Sequence, residues 1–289
     1  MTQNQWEHFI FLHIPKTAGT TLNHIIARQY PAPTVFSLGP VVQESLAEFK
    51  ALPEERRAQI RLLTGHMGYG MHSYFPGSTS YFTLLRDPVD RVISFYYFVR
   101  RNRTHYLHDF VIDKNLSLRE FMDSRVSIMI SNFQTRLISG VWNAYEFGQC
   151  PPDALETAKA NLRHNFTVVG LTEAFDQTLL LFQQAYGWRN ICYTRHNVTK
   201  SRPVKDLLDR DTLAAIEAAN KLDLALYAYA SLLFAEQWRE AGAAMERRLI
   251  YFRLLNHICY PLQQIYWKSR KWSVGAWFYQ QFVMRKKTG

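Results

Sequence analysis

The chain alternates short apolar runs with longer segments in which apolar residues recur at helical spacing. The runs at residues 9–13, 81–85 and 167–170 predict buried strands, and residues 60–64 and 191–194 are weaker strand candidates. Helices are predicted over residues 20–28, 88–102, 153–162, 175–186 and, as a pair, 211–247. This alternation is typical of a mainly parallel sheet covered by helices on both faces. The predicted fold is therefore a three-layer α/β/α domain.

Capping residues support several of the predicted helix starts. Asp87 followed by Pro88 has the order of an N-cap and a first helical residue. Ser117 and Glu120 have the spacing of a capping box. The other predicted caps are Thr20 or Thr21 for the first helix and Asp223 for the second helix of the C-terminal pair.

Charge divides the chain into two parts. Of its 289 residues, 47% are apolar and 20% are charged, which suits one large domain or two small ones with a full-sized core. No acidic residue follows Glu246, whereas nine Lys/Arg do, so the net charge of +10 belongs almost entirely to the end of the chain. We therefore predict a domain at 1–246 and a basic, aromatic extension at 247–289.

Cysteines and apolar segments indicate the compartment. The 3 cysteines are far apart and form no CxxC pair, which predicts neither a zinc site nor a disulfide framework and fits a reducing compartment. The first residues lack the features of a secretory signal. The longest strongly apolar stretch, 224–235, is shorter than the roughly 20 residues that span a bilayer, and we interpret it as a core helix. A cytoplasmic location is expected.

The loop between the first strand and the first helix has the composition of a phosphate-binding site. Residues 9–22 read FIFLHIPKTAGTTL, so a buried strand leads into a lysine, two small residues and hydroxyl groups. Backbone amides at a helix N-terminus favour an anion, small residues allow its close approach, and Lys16 supplies a mobile charge. The spacing differs from the Walker pattern, because Pro15 precedes the lysine and the glycine follows it. An ordinary turn with a surface lysine is the alternative.

A second cation follows the strand predicted at residues 81–85. Ser94 lies about two helical turns beyond Arg86, so an arginine and a hydroxyl can bind one phosphate together. A local ion pair of Arg86 with Asp87, and a packed Ser94, is an equally good interpretation of this segment alone. Because ligands of parallel sheets bind beyond the carboxyl ends of the strands, both loops should open onto one edge.

Six segments, in consistent order, resemble the sulfotransferases that use 3′-phosphoadenosine 5′-phosphosulfate (PAPS). HIPKTAGTTL and LLRDPVDRVISFYYF are similar to their two phosphosulfate-binding motifs, and the resemblance is to sulfotransferase family 2, which includes the heparan sulfate 2-O-sulfotransferases. The other segments are TGHMGYG at 64–70, SNFQTRLISG at 131–140, AKANL at 158–162 and VVGLTEAFDQTLLLF at 168–182. The resemblance spans residues 8–235 and implies a P-loop NTPase-like α/β/α fold and metal-free sulfuryl transfer to a hydroxyl.

The resemblance also implies roles for single residues. The 5′-phosphosulfate would be held by Lys16, Thr17, Ala18, Gly19, Thr20 and Thr21, and the 3′-phosphate by Arg86 and Ser94. The family uses a later stretch against the nucleotide, and HNVTKSR at 196–202 is its counterpart, with Thr199, Lys200 and Arg202 as candidates. A basic, hydroxyl-bearing loop of this kind is equally common as solvated surface.

Transfer to an alcohol requires a base, in-line geometry and neutralisation of the developing charge. The family carries its proposed base in a GH motif, which here contains His66, and Lys16 would neutralise the oxygen that bridges phosphorus and sulfur. His72 and His13 are alternative bases. Some glycan-acting relatives have a further histidine two positions earlier, where this chain has Thr64, so the resemblance defines the donor better than the acceptor.

Two further regions bear on the acceptor and on partners. In SNFQTRLISG we expect Asn132, Gln134 or Arg136 to line the acceptor side, and Phe133 and Leu137 to face the core. Residues 247–289 hold ten aromatics and nine basic residues, which favours an anionic membrane surface if the segment is an amphipathic helix. Packing on the domain, or in a homo-oligomer, is the alternative, and nucleic acid is not expected because no binding module accompanies the charge. The acceptor can be a carbohydrate, a glycolipid or a small alcohol; a carbohydrate or glycolipid is expected, and this segment favours a lipid-linked or cell-envelope glycan.

Two other functions stay open at this point. A nucleotide kinase or NTPase would also use a phosphate-binding loop, but the Walker spacing is wrong and no convincing magnesium-holding acid follows a strand. A non-catalytic, membrane-associated nucleotide-binding protein is the other alternative. His105, His108 and Asp109 have a spacing too weak to predict a metal site.

Overall fold

A five-stranded parallel sheet forms the centre of the protein. The computed structural model describes residues 6–142, 144–194 and 205–258. Within these residues the strands are β1 (His8–Leu12), β2 (Val35–Ser37), β3 (Leu62–Gly65), β4 (Thr79–Leu85) and β5 (Phe166–Leu171). Their order is β2-β3-β1-β4-β5, and every neighbouring pair is parallel. From β1 the chain crosses towards the β2 edge of the sheet, whereas from β4 it crosses towards the β5 edge. The carboxyl ends of β1 and β4 therefore flank the point where ligands bind in such sheets.

Helices connect and cover the strands. They are α1 (Gly19–Ile26), α2 (Val42–Ala51), α3 (Glu54–Ala58), α4 (Pro88–Arg101), α5 (His108–Asp113), α6 (Leu118–Asp123), α7 (Phe133–Ser139), α8 (Ala154–His164), α9 (Phe175–Tyr186), α10 (Arg210–Ala219) and α11 (Lys221–Glu240). A further helix, α12, covers 244–258 up to the end of the described residues. The helices predicted over residues 20–28, 88–102, 153–162 and 175–186 are confirmed, with ends that differ by at most a few residues. The pair predicted over 211–247 corresponds to α10 and α11, but α11 ends at Glu240 and α12 begins within the predicted range.

Side-chain packing gives the layers of the fold. Alternate residues of a strand point to opposite faces of the sheet. Phe82 of β4 points to the face covered by α9, where its ring lies 5.2 Å from that of Phe182. Tyr81 points to the other face and packs 4.9 Å from the ring of Tyr69. α8 and α11 also contact β5, and α4, α5, α6 and α10 enclose a second apolar cluster. The predicted three-layer α/β/α fold is confirmed.

Local predictions at the helix starts had mixed outcomes. Asp87 caps α4, since its Oδ1 accepts a hydrogen bond of 3.0 Å from the N–H of Asp90, and the capping box of α6 is present. The predicted threonine cap of α1 is wrong. Ala18 occupies the N-cap in a left-handed conformation, with no side-chain cap, because the chain enters the helix through a tight loop rather than an extended strand end.

One strand prediction was wrong, and one strand was missed. Residues 191–194 form no strand, because side chains rather than a neighbouring strand bind their backbone: Arg28 donates to the carbonyl of Cys192, and the N–H of Tyr193 donates to Asn256. The edge strand β2 was not predicted because it is only 3 residues long, which is too short to show a hydrophobic pattern. The prediction at residues 60–64 corresponds to β3.

The beginning of the basic extension packs on the domain. The predicted boundary after residue 246 falls inside α12, whose inner side is buried in the same core as the sheet. The residues of that inner side are Met245, Leu249 and Phe252. Asn256 Oδ1 also accepts a 2.7 Å hydrogen bond from the backbone N–H of Tyr193. Residues 259–289 lie outside the described part of the chain.

Candidate active site

The loop between β1 and α1 has a strained backbone. Lys16 (φ 73°) and Ala18 (φ 63°) both adopt the left-handed conformation that residues with a side chain rarely take. The first hydrogen bond inside α1 runs from the N–H of Leu22 to the carbonyl of Ala18, so the amides of Gly19 and Thr20 lie at the open helix end. Left-handed residues beside a helix N-terminus turn amides towards one point and create an anion-binding concavity.

Gly19 allows this loop to contact the residue that follows β1. A Cβ atom at Gly19 would lie 1.6 Å from Nε2 of His13, so no side chain fits there without displacing the imidazole. Thr17 is fully buried, and its hydroxyl donates to the carbonyl of Ile14 at 2.8 Å. The loop is therefore held by its own side chains, while Thr20 is exposed to solvent.

His66 and His13 lie side by side because β3 and β1 are parallel neighbours in register. Leu12 pairs with Gly65, so the next residue of each strand is a histidine, and the two ring centroids are 4.4 Å apart. Nδ1 of His66 lies 2.7 Å from the backbone carbonyl oxygen of His13. A carbonyl oxygen can only accept, so Nδ1 of His66 carries the proton and Nε2 presents its lone pair.

The surroundings of both imidazoles lower their pKa and so favour the neutral form. Burial lowers the pKa of His66, and the charge of Lys16 acts in the same direction, while the hydrogen bond to the carbonyl of His13 partly opposes them. The pKa of His13 is lowered well below its ordinary value, first by burial and then by His66 and Lys16. Neutral His66 is therefore the form expected at neutral pH, and this is the form that can accept a proton.

The two phosphate-type segments meet at one edge of the sheet, as the sequence predicted. Arg86 follows β4, and its Nη1 donates to the backbone carbonyl of Lys16 at 3.0 Å. The Lys16 ammonium lies 4.0 Å above the ring of Phe98. Phe98 is one helical turn beyond Ser94 on α4, so the partly buried Ser94 lies on the side of α4 that faces the loop. Three of the predicted donor-binding positions, Lys16, Arg86 and Ser94, thus lie at one edge of the sheet.

The carboxylate of Asp87 is engaged away from the loop. It caps α4 and lies 3.2 Å from the ammonium of Lys205. The guanidinium of Arg86 instead reaches the loop that contains Lys16. The arrangement thus differs from the alternative of a purely local Arg86–Asp87 pair.

The segment SNFQTRLISG is buried beneath the site, where it binds the backbone of Arg86, and it does not line the cleft. Phe133 and Leu137 face the core as predicted, but Asn132, Gln134 and Arg136 are buried too. Gln134 accepts a 3.0 Å hydrogen bond from the N–H of Arg86 and donates to its carbonyl at 2.9 Å. The prediction that these polar residues line the acceptor side is wrong, because their hydrogen bonds are used inside the protein.

The helices α7 and α11 cap each other's N-termini. The carboxylate of Asp223 accepts from the amides of Gln134 and Thr135 at 3.1 and 2.7 Å. In return, Oδ1 of Asn132 accepts from the amides of Leu222 and Asp223 at 2.9 and 3.3 Å. The prediction that Asp223 caps its own helix is therefore wrong. A residue that caps its own helix can be predicted from its sequence spacing. A cap supplied by another helix cannot, because the two residues are distant along the chain.

Arg136 fixes the loop that follows α7. Its guanidinium is fully buried and donates to the carbonyls of Ser131, Tyr145, Glu146 and Gln149. Burial lowers the pKa of Arg136. The charge is satisfied by carbonyl dipoles, so this arginine is not a ligand for an anionic substrate.

The remaining candidates give no further site residues. Thr199, Lys200 and Arg202 lie outside the described residues, so their assignment stays a prediction. The alternative base His72 lies in a short 3-10 helix (Met71–Tyr74) after the GH motif, and its Nδ1 is 3.2 Å from the hydroxyl of Tyr81. Within residues 6–142, 144–194 and 205–258, no group of three or more His, Cys, Asp or Glu side chains is arranged to hold a metal ion.

Comparison with known proteins decides the family. The model of the Sulfotransferase family matches residues 1–230. The chain belongs to this family. Human heparan-sulfate 6-O-sulfotransferase 2 is 28% identical over 279 residues, an alignment that covers 80% of this chain and 45% of the human protein. Human heparan-sulfate 6-O-sulfotransferase 1 is 27% identical over 286 residues, covering 83% of this chain and 68% of that protein. The chain thus spans about half to two thirds of the length of these relatives.

Membership of the sulfotransferase family confirms the resemblance that the ordered motifs predicted. These relatives are 6-O-sulfotransferases of heparan sulfate by name, whereas the family identified from the motifs was described by its 2-O-sulfotransferases. Two features of this family member could not be found from sequence. One is the backbone carbonyl that orients His66, because backbone atoms carry no sequence signal. The other is Gln134, whose amide holds Arg86 across 48 residues of chain.

Proposed function

We propose that this chain is an O-sulfotransferase that moves a sulfuryl group from PAPS to a carbohydrate hydroxyl. The observation that carries the proposal is the hydrogen bond from Nδ1 of His66 to the carbonyl of His13. It gives a neutral imidazole whose Nε2 can accept a proton, beside the cations Lys16 and Arg86. A base next to an anion-binding loop is what transfer of a sulfuryl group to an alcohol requires.

The residues present fit a donor with two anionic ends. The amides at the start of α1, together with Lys16, suit the 5′-phosphosulfate. The left-handed backbone at Lys16 and Ala18 turns neighbouring N–H groups towards one point, where they can bind an anion. Arg86 and Ser94 suit the 3′-phosphate, since an arginine fork and a hydroxyl both donate to phosphate oxygens. Gly19 has no Cβ, which would collide with His13, so the backbone of the loop between β1 and α1 can approach the donor closely.

PAPS supplies the electrophilic sulfur and a phosphate leaving group. His66 Nε2 takes the proton of the acceptor hydroxyl while the new oxygen–sulfur bond forms and the bond from sulfur to the phosphate oxygen breaks, which releases adenosine 3′,5′-bisphosphate (PAP). Lys16 stabilises the negative charge on the departing oxygen. The Lys16 ammonium lies above the ring of Phe98, and a cation–π contact of about 0.5–2 kcal/mol is weak enough to let it move towards that oxygen.

A carbohydrate is the proposed acceptor class. The support is the printed name of the relatives, which are sulfotransferases of heparan sulfate. At the position where some glycan-acting enzymes carry a second histidine, Thr64 is buried in this chain. We therefore propose that His66 acts as the base without a histidine partner at that position, on a carbohydrate or glycolipid hydroxyl.

Two measurements on the same proteins test the proposal. Calorimetric titration with PAP measures donor binding, and transfer from ³⁵S-labelled PAPS to heparan sulfate or to a glycolipid extract measures activity. For His66→Ala we expect unchanged PAP affinity and a transfer rate lower by about 10²–10⁴-fold, the usual contribution of a positioned acid–base group. The exposed His164 at the end of α8 provides the control His164→Ala, which should behave as wild type.

Each failure has a distinct meaning. Absence of PAP binding to the wild-type chain would refute the donor assignment. PAP binding with undiminished transfer by His66→Ala would leave the donor intact and refute the assignment of the base. Binding of ATP with magnesium in preference to PAP would favour a nucleotide kinase or NTPase.

A further inference from the structure

The outer side of α12 carries an apolar stripe that no other described residue covers. The stripe consists of Ile250, Tyr251, Leu254 and Ile258, whose exposed fractions are 62%, 63%, 59% and 66%. At about 100° per residue these side chains point away from the inner side of the helix, which is already packed in the core. A helix on a soluble surface normally exposes polar residues on its outer side, so a row of large apolar side chains indicates an interaction surface.

Positive charge accompanies this outer apolar stripe. Arg247 is exposed and lies one helical turn before Ile250 and Tyr251. The only acid in α12 is Glu246, and its carboxylate accepts a hydrogen bond from the indole N–H of Trp238. The sequence that follows, residues 259–289, holds six Lys/Arg, eight aromatics and no acid. The charge around the stripe is therefore mainly positive, and its partner should be negative.

The direction of α12 relates the stripe to the active site. Arg248 donates to Gln183, and Arg253 donates to Asp176, so α12 runs antiparallel to α9. Asp176 lies in the first turn of α9, which follows the carboxyl end of β5. The end of α12 thus approaches the sheet edge at which Lys16 and His66 lie. Whatever binds the stripe is brought to the side on which the site opens.

We propose that the outer apolar stripe of α12 lies in the surface of an anionic lipid bilayer, with its arginine among the headgroups. Aliphatic and tyrosine side chains enter the interface, and basic residues bind acidic headgroups. A second copy of the chain would oppose the stripe with the same positive charge, and residues 259–289 carry that charge as well, so neither is complementary. In residues 6–142, 144–194 and 205–258, no helix is long and apolar enough to cross a bilayer. The contact of the stripe with the bilayer surface holds the cleft close to the headgroup layer.

Vesicle co-sedimentation of the full chain tests this surface. The vesicles are phosphatidylcholine with or without phosphatidylglycerol, and the variant is Ile250→Ser/Leu254→Ser/Ile258→Ser. Val41, Leu207 and Leu232 are 52%, 75% and 70% exposed outside α12, and their joint replacement by serine is the matched control. We expect wild type and control to bind the anionic vesicles, and the stripe variant to bind at least about tenfold more weakly, because each serine removes most of a side chain's apolar surface. Added salt should weaken wild-type binding.

Three results would overturn the proposal. The first is a wild-type chain that does not sediment with anionic vesicles. The second is a stripe variant that sediments as well as wild type, which would assign binding to other residues. The third is light scattering that shows a dimer which the stripe variant converts to a monomer, because a second copy would then cover the stripe. PAP titration of every variant reports whether the fold is intact, so loss of vesicle binding with normal PAP affinity is specific. The proposal does not depend on which acceptor is sulfated.

Discussion

Asp223→Asn tests how the helices behind the active site are held together. The carboxylate of Asp223 is fully buried, binds the amides that open α7, and lies 3.9 Å from the guanidinium of Arg91. Burial lowers the pKa of Arg91, while the charge of Asp223 opposes that effect. Asparagine has the same shape, but it removes this compensating charge and turns one acceptor into a donor that faces an N–H group. Removing one partner of a buried ion pair costs about 3–5 kcal/mol.

Urea unfolding followed by circular dichroism measures that cost. A loss of about 3–5 kcal/mol is a large part of the 5–15 kcal/mol by which a typical domain is stable, so the midpoint should move markedly to lower urea. Asp123→Asn is the control, because Asp123 pairs with Arg119 at the surface, with side chains 56% and 44% exposed, and its midpoint should not change measurably. A loss below about 1 kcal/mol for Asp223→Asn, with an unchanged slope, would refute the reasoning, since a single ordinary hydrogen bond would explain it. PAP affinity should fall as well, because Gln134 connects α7 to Arg86.

The remaining predictions concern the base and the loop beside it. Burial lowers the pKa of His66, and in the proposed mechanism the neutral ring accepts the proton. Transfer should therefore stay constant as pH falls through the ordinary histidine range near 6.5 and should decline only below it; a pH profile of kcat/KM that bends at or above 6.5 would contradict this. Gly19→Ala places a Cβ at 1.6 Å from Nε2 of His13 and must displace the ring or the helix. A displaced His13 would also disturb its backbone carbonyl, which orients His66, the proposed base. We therefore expect transfer to fall about 10²-fold, and rates within twofold of wild type would show that the contact is unimportant.

Much of the fold was predictable because its signals are local. The strands β1, β4 and β5 are short apolar runs, and α9 was predicted with the bounds it has in the structure. The capping box at Ser117 and the cap at Asp87 use residues within one turn, so spacing alone reveals them. The predictions at residues 191–194 and at the start of α1 failed because hydrogen bonds from distant parts of the chain, or an unusual loop, determine the backbone there.

Some features of the candidate site were likewise predictable from local sequence, and others depended on tertiary packing. The composition of the PKTAGTT loop and the position of Arg86 after a strand were enough to predict that these two segments meet at one edge of the sheet, where we propose that the donor binds. The GH motif was enough to select His66 as the proposed base. Gln134 and Asp223 were interpreted wrongly, because a polar residue near a motif can face a substrate or the protein, and only packing decides which. The structure placed both in the interior, where unsatisfied polar groups would be costly.

The sequence by itself determined the α/β fold class, the sulfotransferase family and the residue types at the edge of the sheet, because periodicity, loop composition and motif order are properties of neighbouring residues. Tertiary structure alone decided that the carbonyl of His13 orients His66, that α7 and α11 cap each other, and that α12 exposes an apolar side. These relations join residues that are distant along the chain. Their free energies arise from burial and from hydrogen-bond geometry, which exist only when the folded protein brings the groups together.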